Sequence, residues 1–294
     1  MTTVISTGPV WPPTEEILGP VAVAHDEAEL RRLLLDAEAV IVRGGHRFGA
    51  ELIGAAPRLR VIGRTGVGLS EIDVEAAERR GIAIVTAEGG ARAVAEGALT
   101  LLLALAKRLP QLDRAVKEGR FAERDEADVL DAEDITLGIL GYGRTGRALA
   151  ELAEAIGMAT VTYDPYVTGA SVDELLARAD AISLHAPLTD ETRGLVDAAF
   201  LERVRPGAIL VNLARGALIR SLDDLLAALE SGRLSGVGLD VFDPEPPDSA
   251  HPLFRHPAVL CTPHALGLSR RARANLARQC AEGIASALDV LPRA

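Results

Sequence analysis

Aromatic side chains are scarce: five Phe, three Tyr and one Trp account for 3% of the 294 residues. The cores must therefore be aliphatic, and stacking of nucleic-acid bases on an aromatic platform is not expected. Positive charge is short as well, with 31 Lys and Arg against 42 Asp and Glu, a formal charge of −11 and a pI near 5.1. Binding to a phosphate backbone needs clustered cations that release counterions, so no nucleic-acid partner is expected. The two cysteines, Cys261 and Cys280, are too few for a disulfide framework and suit a reducing compartment. Long apolar runs are also missing. The longest, Ala98 to Ala106, is interrupted by Thr100 and falls far short of the roughly 20 residues that span a bilayer. The opening MTTVISTGPVWPP has neither a basic start nor a long apolar core, so no signal peptide is expected. These absences predict a cytoplasmic protein without a membrane partner.

What is present is 48% hydrophobic residues with 25% charged, ample for two domains at roughly 150 residues each. Short apolar runs alternate with segments of helical period, the pattern of parallel sheets covered by helices. The spacing predicts strands at Thr2–Ser6, Ala39–Val42, Leu59–Gly63 and Ala83–Val85, and helices over Glu27–Asp36 and Asp73–Arg80. A long helix over Ala93–Glu118, kinked at Pro110 and ended by Gly119, comes next. The acidic stretch FAERDEADVLDAEDIT has no period and reads as a linker. Strands then recur near Ile135–Leu140, Ala159–Tyr163, Ala181–Leu184, Ala208–Leu213, Val237–Val241 and Val259–Cys261, enough for one complete doubly wound sheet. A last helix, Arg270–Leu288, is expected to return to the first domain. The fold class is thus α/β, with two doubly wound parallel-sheet domains.

Between a predicted strand and a predicted helix lies Gly141-Tyr-Gly143-Arg-Thr-Gly146. In that setting the first glycine allows a tight turn, the second lets backbone approach a pyrophosphate, and the third permits close helix–strand packing. The helix N-terminus then faces the phosphates. The next strand ends at Asp164, 23 positions after Gly141, where a carboxylate accepts from a ribose diol and repels a 2′-phosphate. NAD is therefore expected over NADP. The earlier Gly63-Arg-Thr-Gly66-Val-Gly68 has its glycine spacing reversed and is not read as a second nucleotide site. Because the fingerprint begins only at 141, a nucleotide domain over 93–267 is expected to be inserted into a substrate domain formed by 1–92 and about 268–294.

Ligands of an open parallel sheet bind beyond the carboxyl ends of its strands, and three polar residues follow such ends: Arg215, Glu245 and His264. Reduction of a 2-oxo acid needs a cation shaped to hold a carboxylate and polarise a ketone, for which the Arg215 guanidinium is suited. It also needs an acid to protonate the forming alkoxide, for which His264 is suited. A carboxylate, Glu245, would keep that imidazole oriented and protonated. His251, His256, Cys261 and His264 crowd into fourteen residues, but their spacing and intervening prolines do not set four ligands on one face, and no metal site is expected.

The chain resembles the D-isomer-specific 2-hydroxyacid dehydrogenases. The resemblance rests on GRTGVGLSEIDVEAAERRGI, AVAE, GYGRTG, YDP, LHAPLTDETRGL, RPGAILVNLARG, GLDVFDPEP and TPH, in that order from about Ala39 onward. It implies a flavodoxin-like substrate domain and a Rossmann NAD-binding domain, usually in a homodimer formed around the long helix. It implies Arg215, Glu245 and His264 as the catalytic set and Asp240 near the nicotinamide amide. Arg144 and Thr145 would sit at the pyrophosphate, and His185, Pro187 and Thr192 on the adenosine side. The Val67 and Gly68 amides would hold the substrate carboxylate. Arg43 and Arg64, each at the end of a predicted strand, resemble the arginines that meet an anionic substrate tail in the phosphoglycerate-type members. The expected reaction is hydride transfer between NADH and a small 2-oxo or D-2-hydroxy acid carrying a second anionic group. The alternatives are an NAD-binding regulatory protein of the corepressor kind and a family oxidoreductase acting on a non-carbon substrate such as phosphite. Three departures stand out: Ile219-Arg220-Ser221 after the NLARG motif, the short TAEGGAR loop, and the lack of the usual tryptophan before the glycine turn, with Phe121 nearby.

Overall fold

In a computed structural model, which describes residues 3–44, 46–167 and 169–290, the strand–helix alternation builds two separate parallel sheets. The chain divides into two units, one made of the residues up to Gly90 together with those from Leu268 onward, the other of Ala91–Gly267.

The first unit runs β1 (Val4–Ser6), α1 (Pro12–Leu18), β2 (Val21–Val23), α2 (Glu27–Leu34), β3 (Ala39–Val42), α3 (Ala50–Gly54), β4 (Val61–Arg64), α4 (Val74–Arg79) and β5 (Ala83–Thr86). The strands are all parallel in the order β2-β1-β3-β4-β5, which is the flavodoxin-like arrangement. Asp26 and Asp73 cap α2 and α4 by accepting from the N–H three residues on, satisfying donors that a helix start leaves open. Ile5, Val40, Val42, Phe48 and Ile62 are fully enclosed in the core beneath them. Three elements go beyond the sequence reading: α1, β2 and α3. Each is three to seven residues long, too short to display a period, and α1 opens on Pro12-Pro13, a pair that reads as loop unless it occupies a first helical turn. The predicted first strand begins at Thr2, which lies outside the described residues.

The second unit contains α5 (Ala91–Ala106), α6 (Leu109–Lys117), β6 (Thr136–Leu140), α7 (Arg144–Ala155), β7 (Ala159–Tyr163), α8 (Val172–Arg178), β8 (Ala181–Leu184), α9 (Ala198–Arg203), β9 (Ala208–Asn212), α10 (Leu222–Glu230), β10 (Leu234–Leu239) and β11 (Val259–Cys261). Its order is β11-β10-β9-β8-β6-β7, again all parallel. Strand order reverses between β6 and β8, so the sheet's switch point falls at the glycine turn after β6. The single kinked helix expected over Ala93–Glu118 is corrected to two helices. The break falls at Lys107–Arg108, where Arg108 takes a left-handed φ of 49°, and Pro110 lands in the first turn of α6. The reason is the missing proline N–H. In a continuous helix it would leave the Ala106 carbonyl without a donor, and that carbonyl instead accepts from Leu130 N–H at 3.0 Å. The stretch read as a featureless linker supplies this bond and contains two 3-10 turns, Phe121–Glu126 and Ala132–Asp134. The final helix, α11 (Arg270–Val290), packs on α1, β4 and β5 of the first unit. Among the described residues no helix is long and apolar enough to cross a membrane.

Candidate active site

The glycine turn is built for close approach. Gly141 has a φ of 99°, and a Cβ there would lie 2.6 Å from the Ala186 nitrogen. A Cβ on Gly146 would lie 2.2 Å from the Gly141 carbonyl oxygen, so α7 can start this near β6 only with glycine. At Gly143 the opposite holds: a Cβ would meet nothing within 4 Å, leaving open space over the backbone. Arg144 and Thr145 are the first residues of α7, where the positive end of the helix dipole favours a diphosphate. Asp164, just past β7, accepts from Tyr142 N–H at 2.8 Å and Tyr166 N–H at 2.9 Å. A carboxylate offers about four acceptor sites, so this one is fixed against the glycine turn with capacity left for a diol.

His185 follows β8 and contacts Ser183 Oγ through Nε2 at 2.8 Å. Burial pushes its imidazole from the ordinary 6.5 down to about 4, so it is neutral at physiological pH. Pro187 and Thr192 are brought together by a hydrogen bond from Thr192 Oγ1 to the Pro187 carbonyl at 2.7 Å.

Arg215, Glu245 and His264 follow β9, β10 and β11, three adjacent strands. His264 Nδ1 lies 2.9 Å from Glu245 Oε2, and the other oxygen of that carboxylate accepts from Phe242 N–H at 2.9 Å. The Arg215 turn joins this pair through backbone: a Cβ on Gly216 would lie 2.0 Å from the Phe242 carbonyl carbon. An apolar cavity of about 450 Å³ opens beside the pair, walled by Phe242, Phe254, Cys261 and three prolines.

Positions not singled out from the sequence hold these turns. Asn212, fully buried at the end of β9, accepts from Ala214 N–H and donates to the Arg215 carbonyl, at 3.0 and 2.9 Å. Thr262 donates to Asp240 at 2.6 Å. The signal was an Asn ending the apolar run AILVN, since a buried polar group must have a partner.

Asp240 is engaged in the fold itself. Its carboxylate is 2% exposed and accepts from Thr262 Oγ1, Ala265 N–H and Leu266 N–H, bracketing His264. That residue has a φ of 52°, a left-handed conformation costing roughly 1–2 kcal/mol outside glycine. The carboxylate thus holds the turn, as a buried charge needs such donors.

The remaining candidates belong to the first unit. Neither the Val67 nor the Gly68 N–H has a hydrogen-bond partner among the described residues. Arg64, expected at an anionic substrate tail, is corrected to a brace: it donates to the Gly68, Val42 and Gly44 carbonyls and pairs with Glu71 at 3.0 Å. A guanidinium with five N–H groups so engaged has little left for a ligand. Arg43 instead stacks on Trp11, its Cζ 3.6 Å from the ring centre.

His251 contacts Asp223 and His256 accepts from Ala258 N–H. Among the described residues no group of three or more His, Cys, Asp or Glu is arranged to hold a metal.

A doubly wound sheet here carries the glycine turn and an Arg–Glu–His set at its strand ends, the architecture of a dinucleotide-binding domain, and the comparisons make the class specific. The chain belongs to the D-isomer specific 2-hydroxyacid dehydrogenase family, whose NAD binding domain matches residues 99–265. It is 38% identical over 283 residues to a D-3-phosphoglycerate dehydrogenase of Archaeoglobus fulgidus, covering 92% of this chain and 53% of that protein; the chain thus spans about half the length of the curated relatives it matches. The TT0316 protein of Thermus thermophilus superposes with a TM-score of 0.90 at 34% identity, covering 99% of this chain and 98% of the other. A D-lactate dehydrogenase of Aquifex aeolicus, complexed with NAD and lactic acid, gives 0.87 at 26% identity over 98% and 96%.

Two predictions arise here. Gly216→Ala forces the Arg215 and Glu245 turns apart and is expected to lower kcat about 100-fold, the scale of an ångström misplacement, with thermal stability changed far less. An unchanged kcat in steady-state turnover contradicts this coupling. The second concerns pH. The His185 imidazole is neutral in the fold down to about pH 4, whereas the unfolded chain takes that proton below about 6.5. Its contribution is full above 6.5 and is lost as pH falls toward 4, a loss of about 3 kcal/mol. His185→Asn should accordingly lose less stability than wild type between pH 7 and 4.5 in urea unfolding; parallel losses refute it.

Proposed function

We propose that the protein is an NAD-dependent oxidoreductase that interconverts a small 2-oxo acid and its D-2-hydroxy acid, with preference for substrates bearing a second anionic group. The observation that carries this reading is the His264–Glu245 contact at 2.9 Å, set by its own backbone beside the Arg215 turn in a family NAD-binding domain. NADH, when bound, supplies the hydride. Arg215 holds the substrate carboxylate and polarises the ketone through its fork of donors. Because His264 Nδ1 faces Glu245, Nε2 is the nitrogen that gives a proton to the carbonyl oxygen as the carbon is reduced. Glu245 keeps the ring in that orientation, and Asp240 holds the turn. The free Val67 and Gly68 amides suit the substrate carboxylate, and Arg43, half-buried and without an acidic partner among the described residues, suits a distal anion.

The substrate domain is taken as 1–92 with 268–294 and the cofactor domain as 93–267. We infer a homodimer through the α5–α6 segment, supported by Leu109 and Val116 on α6 and by Phe121 and Val129 in the stretch that follows, apolar residues 42–62% exposed. Two unpaired cysteines suit the cytoplasm.

The test is oxidation of NADH with a panel of 2-oxo acids differing only in their distal group. Turnover is expected, fastest with a distal phosphate, phosphonate or carboxylate, and absence of turnover with every member rejects the reading. Arg215→Lys should lose at least about tenfold in kcat/KM, since an ammonium cannot reproduce the fork. In the same assay, Asp164→Ser should narrow the preference for NADH over NADPH by about tenfold, near 1.4 kcal/mol. Equal wild-type use of both cofactors counts against the role of Asp164.

A further inference from the structure

Two side chains at the end of β8 have only each other to bond among the described residues. Ser183 is fully buried, and the one partner of its Oγ is His185 Nε2 at 2.8 Å. A serine hydroxyl has one proton to donate, and a neutral imidazole has one N–H and one bare nitrogen. With the proton on Nε2, the ring would donate to Ser183 Oγ and the hydroxyl proton would have no acceptor in a place sealed from water. With Nε2 bare, the hydroxyl donates to it and the buried pair is satisfied. Buried polar groups are found paired, so the ring hydrogen belongs on Nδ1. The same count excludes a cationic ring, whose Nε2–H would again orphan the hydroxyl, and burial holds the imidazole down at about 4.

His185 is the first residue after β8 and Gly141 the first after β6, neighbouring strands between which the sheet order reverses. The two therefore flank the crevice in which a ligand of such a sheet lies. They are in close contact: a Cβ on Gly141 would stand 2.7 Å from the His185 carbonyl oxygen, and His185 N–H donates to the Leu140 carbonyl at 2.7 Å. His185 Nδ1 has no partner among the described residues and is not sealed from solvent. Its hydrogen is left for an acceptor from outside.

We propose that Ser183 is a positioning residue for the cofactor: its hydroxyl locks His185 in the Nδ1–H form, so that the crevice offers a neutral hydrogen-bond donor, in place of a bare nitrogen lone pair, to an oxygen of the bound dinucleotide. The role rests on the cofactor domain and is independent of which acid is reduced. Phosphate and ribose oxygens are acceptors, and a bare imidazole nitrogen repels them. Which ring nitrogen carries the proton is set by the bond the other one makes, so removing the hydroxyl releases the choice.

Isotope-labelled histidine reads the tautomer in the unmodified protein. In long-range proton–nitrogen correlation spectra at neutral pH, the His185 signals, assigned by their disappearance in His185→Asn, should show Nδ1 protonated and Nε2 bare. The reverse pattern overturns the inference. Ser183→Ala should lose the fixed pattern and weaken NADH binding about tenfold in a calorimetric titration; NADH binding like the wild type overturns the positioning role. A double-mutant cycle separates that role from a general loosening of the fold. In the His185→Asn background, Ser183→Ala should change the NADH dissociation constant by less than about twofold, because the ring it acts through is gone. An equal loss in both backgrounds means that Ser183 acts through the fold alone, and the positioning role falls. The wild-type titration tests the cofactor reading by itself: without NADH binding, that reading and the role of Ser183 fall together, whereas the wrong tautomer in a protein that binds NADH removes the role of Ser183 only.

Discussion

Everything around the candidate active site depends on buried polar side chains at the carboxyl ends of parallel strands. Such an end leaves turn backbones that must find partners in a region sealed from water. Asn212 and Asp240 answer this at two adjacent strands, both nearly or wholly buried. Asn212 fixes the backbone on both sides of the Arg215 turn, and Asp240 does the same around His264. The two are themselves linked, since Asp240 N–H donates to the Asn212 carbonyl at 3.0 Å. Losing one such partner leaves a buried group unsatisfied, at about 1–3 kcal/mol. The exposed chemistry is thus held by unexposed hydrogen bonds.

That arrangement explains why His264 can stand half-exposed in a left-handed conformation and still be fixed. Its own N–H donates to the Thr262 carbonyl, Thr262 Oγ1 and the next two N–H groups converge on Asp240, and its ring is held by Glu245. Glu245 in turn is set by Phe242 N–H, and the Phe242 backbone is what Gly216 packs against. The Arg215, Glu245 and His264 turns are therefore tied together by one set of backbone and side-chain contacts. Geometry of this kind suits a reaction in which hydride and proton must arrive at adjacent atoms of one carbonyl group.

Much of this was legible in the sequence. Strands of four or more apolar residues declared themselves, as did the glycine turn and the polar residues at strand ends, because each follows from local rules. What escaped were features decided by distant partners. The α5–α6 break turned on whether the Ala106 carbonyl could find a donor, and the donor sits at Leu130, 24 residues away. The three-residue strand β2 exists only because β1 lies beside it. Nothing local told that Thr262, Ala265 and Leu266 would donate to Asp240.

Arg43 and Arg64 show the same limit most directly. They stand at the ends of neighbouring strands, Arg64 as the last residue of β4, paired with Val42, and Arg43 one step beyond that Val42 at the end of β3. Residue type and position are alike, yet Arg64 is drawn inward by Glu71 and three carbonyls while Arg43 rests on an indole with another cation near it. The difference lies in Glu71, seven residues after Arg64, for which Arg43 has no counterpart. An arginine with a carboxylate becomes part of the scaffold. One left without it keeps its binding capacity for something outside the fold.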